Sequence, residues 1–234
     1  MFELLDSKRY PAHYQTLETQ RVKRLLGEWS ANRRQSLSVL DYGLGRGKYL
    51  RLFREWGLQP VGVDINPDYI NQAIEEGFEA YHESELAPLQ QSFDVIFLSH
   101  LVEHLDPTQL LTLLKRLIDL LAPGGRLVLI SPVLGERFFH DFSHVRPYYP
   151  QSIRHAFGQS NAPLSFGASE RIVLSDIYFF RDPYRTRLWR SFYVEKSVLH
   201  PFTRWINRGL DLAWRASNGH VGVTSSWLGV YQQC

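Results

Sequence analysis

With 234 residues, 44% of them hydrophobic, the chain has the size and composition of one ordinary folded domain with material for a substantial core. A single cysteine, Cys234, excludes a disulfide framework and a cysteine-rich zinc site. No secretory signal and no run of the ~18 apolar residues of a spanning helix is legible, so a cytoplasmic location is expected. The net charge is only +2, yet residues 181–234 hold eight basic residues against three acidic ones. That basic end suits an anionic substrate, a nucleic acid or a membrane surface, and equally a solvated helix face.

In chain order, Val22, Leu25, Leu26 and Trp29 recur at helical spacing and predict an amphipathic helix over residues 15–30. A polar connector, Asn32 to Ser36, leads to the stretch on which the rest depends: Ser38 to Leu50, SVLDYGLGRGKYL. Val39, Leu40 and Tyr42 around Asp41 read as a short buried strand, Gly43, Gly45 and Gly47 as a turn, and Tyr49, Leu50, Leu52 and Phe53 as the start of a helix ending near Trp56. Glycine at alternate positions lets a bulky ligand touch the backbone, while the helix behind turns free N–H groups toward the same space. A dinucleotide fingerprint wants its third glycine at position 48, where this chain has Lys48.

Val61 to Ile65 reads as the second strand and carries Asp64 at its end. A carboxylate there can accept hydrogen bonds from both hydroxyls of a ribose. Binding is the preferred reading; followed by Asn66-Pro67, the carboxylate could also cap a helix running to Glu76, and the two roles are compatible. Phe78 to His82 is the third strand. Phe93 to Leu98, FDVIFL, is a near-continuous apolar run, as expected of a central parallel strand buried on both faces, and its C-terminal edge carries Ser99, His100, Leu101, Glu103 and His104.

Pro107 to Leu121 is apolar over so wide an arc that packing is its expected role. Pro123-Gly124-Gly125 predicts a turn, Arg126 to Ser131 a strand, Gln151 to Phe157 a short helix, and Glu170 to Phe179 and Ser225 to Gln232 two further strands. Between those last two lies a helix with Phe202, Trp205, Ile206, Leu210 and Ala213 on one face and Arg204, Asn207, Arg208, Asp211 and Arg215 on the other. Its apolar face is expected to pack over the sheet. The alternative is an amphipathic membrane-surface helix, which Trp189, Trp205 and Trp214 would suit.

The block VLDYGLGRG, followed in order by VGVDI, FDVIFLSHLVEHL, LLAPGGRLVLISP and DFSHVRPYYP, resembles class I S-adenosylmethionine-dependent methyltransferases over about residues 15–180. The resemblance implies an α/β doubly wound, mostly parallel seven-stranded sheet of Rossmann-like type. One domain is expected over 1–234, the resemblance placing a cofactor core at 15–180; residues 181–222 depart from the family's minimal core and read as an inserted helical cap before the last strand. Asp41, Gly43, Gly45, Gly47, Asp64, Ile65 and the Glu83/Ser84 loop would then hold S-adenosylmethionine, with Ser99 and the turn after it beside the transferred methyl.

Removing a proton from a hydroxyl acceptor calls for a base, and histidine serves near neutral pH. His144 is the first candidate, with Glu103 and His104 in support and Arg146, Tyr148 and Tyr149 beside it to bind a hydroxyl-rich or anionic acceptor. The turn after the central strand lacks the Asn-Pro-Pro-Tyr or Asp-Pro-Pro-Tyr type of many amino-methylating relatives, which points to oxygen. The expected acceptor is a small molecule of saccharide or secondary-metabolite type; the alternatives are RNA 2′-O-methylation using the C-terminal arginines, or a non-catalytic cofactor-binding domain. His100-x-x-Glu103-His104 with a distant His144 is also similar to the Glu-x-x-Glu-His plus His arrangement that holds a divalent metal in small-RNA 2′-O-methyltransferases, with His100 in place of the first acid.

Overall fold

The computed structural model describes residues 11–31, 33–86, 91–158 and 171–234, without the side chains of 11–16 and 137. The expected strand start at Glu170 and the start of the polar connector at Asn32 lie outside the described residues. Helix α1 (Pro11–Ser30) precedes β1 (Ser38–Tyr42), α2 (Lys48–Glu55), β2 (Gln59–Asp64), α3 (Pro67–Glu75), β3 (Glu79–His82), β4 (Phe93–Ser99), α4 (Pro107–Asp119), β5 (Leu121–Pro132) and α5 (Pro150–Phe157). Then follow β6 (Ile172–Asp182), α6 (Arg190–Tyr193), α7 (His200–Ala216) and β7 (Val223–Gln233).

The seven strands form one mixed, mostly parallel sheet in the order β3-β2-β1-β4-β5-β7-β6. Pairing is parallel between β1 and β2, β2 and β3, β1 and β4, and β4 and β5. Cys234 N, just past β7, donates to Arg171 O, just before β6, and Ser175 Oγ of β6 donates to Val230 O of β7, contacts that run in opposite directions along the chain, as antiparallel strands require. The strand order reverses between β1 and β4, the place where such sheets leave a crevice at their C-terminal edge.

Two compact units make up the chain: residues 22–178 with 227–234, and residues 11–21 with 179–226. In the first, the central strands are buried on both faces, as in Val39, Leu40, Val95 and Ile96, because crossover helices cover the parallel sheet. Helix α4 starts with a reciprocal cap: the Asp106 carboxylate accepts from the N–H groups of Thr108 and Gln109, and the Gln109 amide oxygen accepts from Asp106 N. Its apolar arc, Leu110, Leu114, Leu117 and Ile118, is buried in the main core. The Pro123-Gly124-Gly125 turn forms inside β5 as an irregularity, the register jumping from Phe93–Leu121 to Val95–Arg126.

The second unit corrects the sequence reading of α7. Thr203, Asn207 and Trp214 are its buried residues, whereas Phe202, Trp205 and Leu212 are exposed. The inward polar stripe is matched group for group. Thr203 Oγ1 lies 2.6 Å from Ser191 Oγ, Thr186 N donates to Asn207 Oδ1 at 3.1 Å, Asn207 Nδ2 donates to Thr186 Oγ1 at 2.8 Å, and Arg185 donates to Asp211 at 2.5 Å. Ser226 Oγ donates to the buried Glu18 carboxylate at 2.7 Å in the same unit. No helix among the described residues is long and apolar enough to cross a membrane.

Candidate active site

The glycine turn after β1 is left-handed at three points, with φ of 81° at Gly43, 51° at Gly45 and 70° at Gly47. Side chains rarely adopt that region, which is why the sequence alternates glycine here. The turn is pinned to β2: Gly43 N and Leu44 N both donate to Val63 O, at 2.8 and 3.1 Å. Leu44 tucks against Gly62, where a Cβ would stand 2.6 Å from Leu44 Cδ2, so β2 needs a glycine at that point.

Asp64 closes the corner. Its Oδ2 accepts from Gly45 N and its Oδ1 from Asn66 N, each at 2.9 Å. It is not the cap of α3; that is Asn66, whose side chain accepts from Asp68 N. Each Asp64 oxygen keeps lone-pair capacity for a ligand hydroxyl. Asp41 lies buried in β1, bonded by the Leu50 backbone. Burial, and then the charge of Asp64, push its carboxyl up to about 7.

A cavity of about 490 Å³ opens at this edge, walled in part by Tyr42, Gly43, Asp64, Ile65, Glu83 and Leu101. Gly45, Gly47, Asp41, Ser84 and Ser99 are near in sequence but do not line it; Ser84 instead pairs with His82 Nδ1 at 2.8 Å. Glu83 is held from two sides, by a hydrogen bond from Tyr42 and by Arg116 at 3.3 Å. The Tyr42 phenol is pushed up by burial first and by Glu83 second, so it stays a donor. Sequence reading assigned α4 to packing and missed that Thr108, Thr112 and Arg116 line the cavity. Their spacing of four, a polar stripe along an otherwise apolar helix, was the available signal.

The second half of the site hangs on the 3-10 turn Val102–His104, between the cavity-lining residues Leu101 and Leu105. Val145 N and Arg146 N both donate to Glu103 O, at 2.8 and 3.2 Å, clamping the Asp141–Tyr149 segment onto this turn. Core contacts hold it from behind: Trp227 Nε1 donates to Tyr148 O at 2.8 Å and Tyr148 OH to Leu105 O at 3.0 Å. The expected candidates are thereby assembled. The His104 and His144 rings stand 4.8 Å apart, and Glu103, His104 and His144 offer ligand atoms within 4.8 Å of one another. His100, with a left-handed φ of 54°, brings Nδ1 to 3.4 Å from Glu103 Oε1. Arg146 stacks over Tyr148, and Tyr149 OH accepts from Leu134 N at 3.1 Å.

A glycine corner with a strand-end carboxylate at the switch point of a β3-β2-β1-β4-β5-β7-β6 sheet defines a nucleoside-binding α/β protein of the methyltransferase type. The family model of methyltransferase domains matches residues 11–162, and the chain belongs to that family, as a class I S-adenosylmethionine-dependent member. No curated protein sequence matches it. Among solved structures, a SAM-dependent methyltransferase from Archaeoglobus fulgidus is 23% identical with a TM-score of 0.54, over 92% of this chain and 94% of the other. An N-methyltransferase from Bradyrhizobium japonicum in complex with S-adenosylhomocysteine gives 13% identity and a TM-score of 0.58, over 94% and 87% of the two chains. The magnesium protoporphyrin IX methyltransferase of Synechocystis gives 14% and 0.55, over 95% and 80%.

Proposed function

We propose that this methyltransferase uses S-adenosylmethionine to methylate a hydroxyl of a small molecule of saccharide or secondary-metabolite type. The observation that carries the cofactor half is Asp64, fixed by Gly45 N and Asn66 N at 2.9 Å with acceptor capacity to spare at the mouth of the cavity. The groups present fit the cofactor: three left-handed glycines allow close approach, Asp64 suits ribose hydroxyls, and Glu83, oriented by Tyr42 and Arg116, suits an amino donor such as that of adenine.

When bound, the sulfonium supplies a methyl whose carbon–sulfur bond breaks, its electron pair going to sulfur, as the acceptor oxygen forms the new carbon–oxygen bond. The chain aligns the acceptor and receives its proton. His144 Nδ1 faces Phe138 O at 2.7 Å, which leaves Nε2 to accept that proton, and Glu103 and His104 lie against it. Arg146 and the two tyrosines border the same face and suit a hydroxyl-rich acceptor.

Calorimetric titration with S-adenosylmethionine should show binding that falls ~10-fold or more in Asp64→Ala, the scale of losing charge-assisted hydrogen bonds. Release of S-adenosylhomocysteine should then be followed over a panel of hydroxyl and amine acceptors. Turnover of amines alone would remove the oxygen acceptor, and donor binding indifferent to Asp64 would remove the cofactor placement.

The reading extends to a peripheral contact with an anionic lipid surface through α7. Phe202, Trp205 and Leu212 are exposed on it beside exposed Arg204, Arg208 and Arg215, an aromatic and cationic mixture that suits a bilayer interface better than a nucleic acid backbone, which needs no aliphatic side chains.

A further inference from the structure

The manner in which Glu103, His104 and His144 are held distinguishes them from an ordinary polar cluster. His144 Nδ1 lies 2.7 Å from Phe138 O and His104 Nδ1 lies 3.2 Å from Ser143 O. A carbonyl only accepts, so these contacts select the tautomers with the proton on Nδ1 and a lone pair on Nε2. Ser143 Oγ, 3.0 Å from His104 Nδ1, gives its own proton to Asp141 and so accepts as well. Histidines that bind metal ions are oriented in this way, the second nitrogen donating to a carbonyl.

Glu103 is the complementary part. It is fully buried; Oε2 accepts from Ser131 Oγ at 3.2 Å, whereas Oε1 has no hydrogen-bond partner among the described residues, His100 Nδ1 standing 3.4 Å away. A buried carboxylate oxygen without a hydrogen bond is costly unless a cation faces it. We propose that Glu103, His104 and His144 bind one divalent first-row transition ion, of the manganese to zinc series. Two imidazoles and one carboxylate suit such ions better than magnesium or calcium, which prefer oxygen alone. Ligand atoms about one ion stand ~3–4.2 Å apart, so side-chain movements of about 1 Å close the 4.8 Å cluster around it. Asp141 Oδ2, 3.9 Å from His144 Nε2, is a further oxygen at the rim.

The role of the ion rests on the methyl-transfer reading. Located on the turn between Leu101 and Leu105, it would bind an acceptor oxygen beside the cofactor cavity; with the ion bound, His144 Nε2 is a ligand and no longer the proton acceptor, and the ion instead eases release of the hydroxyl proton to solvent.

The test uses the full chain, stripped with chelator and titrated with Co²⁺, read by its visible absorption, and with Mn²⁺, read by loss of the free-ion resonance signal. One ion per chain is expected, weakened roughly tenfold or more by Glu103→Gln and by His144→Gln, with S-adenosylmethionine binding unchanged. His144 is less deeply buried, so its variant carries the test if Glu103→Gln does not fold. No saturable binding to the native chain, or equal binding by either folded variant, overturns the site. Ion binding without turnover of any hydroxyl would leave the site standing and remove the proposed acceptor; hydroxyl turnover with no ion bound would do the reverse.

Discussion

The two compact units of this chain bury different faces of their two-faced helices. In the larger, α4 turns Leu110, Leu114, Leu117 and Ile118 into the core and leaves its polar residues outward; in the smaller, α7 turns Thr203 and Asn207 inward with Trp214 and leaves Phe202, Trp205 and Leu212 exposed. Both helices have a two-faced pattern, and the pattern alone says only that two faces exist. Which one is covered depends on what the neighbours offer. A parallel sheet offers an apolar surface with every backbone group already paired, whereas the loop before α7 offers Thr186, Arg185 and Ser191, groups that need hydrogen-bond partners.

The largest effect expected from this contrast is at Trp227, fully buried in the larger unit, where its ring packs in the main core and its Nε1 anchors the segment carrying His144. Trp227→Ala should cost ~3–5 kcal/mol in urea unfolding, as for other large aromatic truncations in a core. It should also lower activity in folded protein by releasing Tyr148 O. A loss below ~1 kcal/mol would mean the larger unit does not depend on its apolar interior.

Next comes Asp41, a charge-bearing group in that same apolar interior. Its carboxyl is raised to about 7, against an ordinary value near 3.9, so between those values the folded state holds a proton that the unfolded state releases. Stability from this source is fully present below pH ~4 and is lost as pH rises through ~7, amounting to roughly 4 kcal/mol at most. The Asp41→Asn variant lacks that dependence. The difference in unfolding free energy between native chain and variant, measured from pH 4 to 8, should therefore fall with rising pH; a flat difference would show that Asp41 is as well solvated as a surface carboxylate.

These two residues also mark how far the sequence could be read. The sheet, the glycine corner, Asp64 and the Glu103–His104 turn were legible because strand period, glycine spacing and strand-end position are local signals tied to one parallel architecture. The inversion of α7 was not, since it follows from hydrogen bonds to Thr186 and Ser191, far enough along the chain that no periodicity reports them. The wall that α4 gives the cavity was missed for a related reason: Thr108, Thr112 and Arg116 are three polar residues on a helix whose apolar arc dominates any averaged pattern. The pairing of His104 with His144 was anticipated as chemistry, but its cause, two N–H groups donating to Glu103 O, is tertiary.

The smallest effect on stability, and the sharpest check on the comparison, lies at Trp205. At 75% exposure its ring contributes little to folding, so Trp205→Ala should change the unfolding free energy by less than ~0.5 kcal/mol. Thr203→Val, on the inward face, should cost ~1 kcal/mol because Ser191 Oγ loses its buried partner. An apolar pattern read in the usual way predicts the reverse order. If the face is kept exposed for a lipid surface, Trp205→Ala should also weaken sedimentation with anionic vesicles several-fold while leaving neutral vesicles unaffected, since the aromatic supplies interfacial anchoring and the arginines supply attraction to anionic headgroups. Equal sedimentation of native chain and variant would detach the exposed face from membranes. A loss of several kcal/mol in Trp205→Ala would go further, since it would mean that the ring is covered in solution and that the outer face of α7 is a buried one after all.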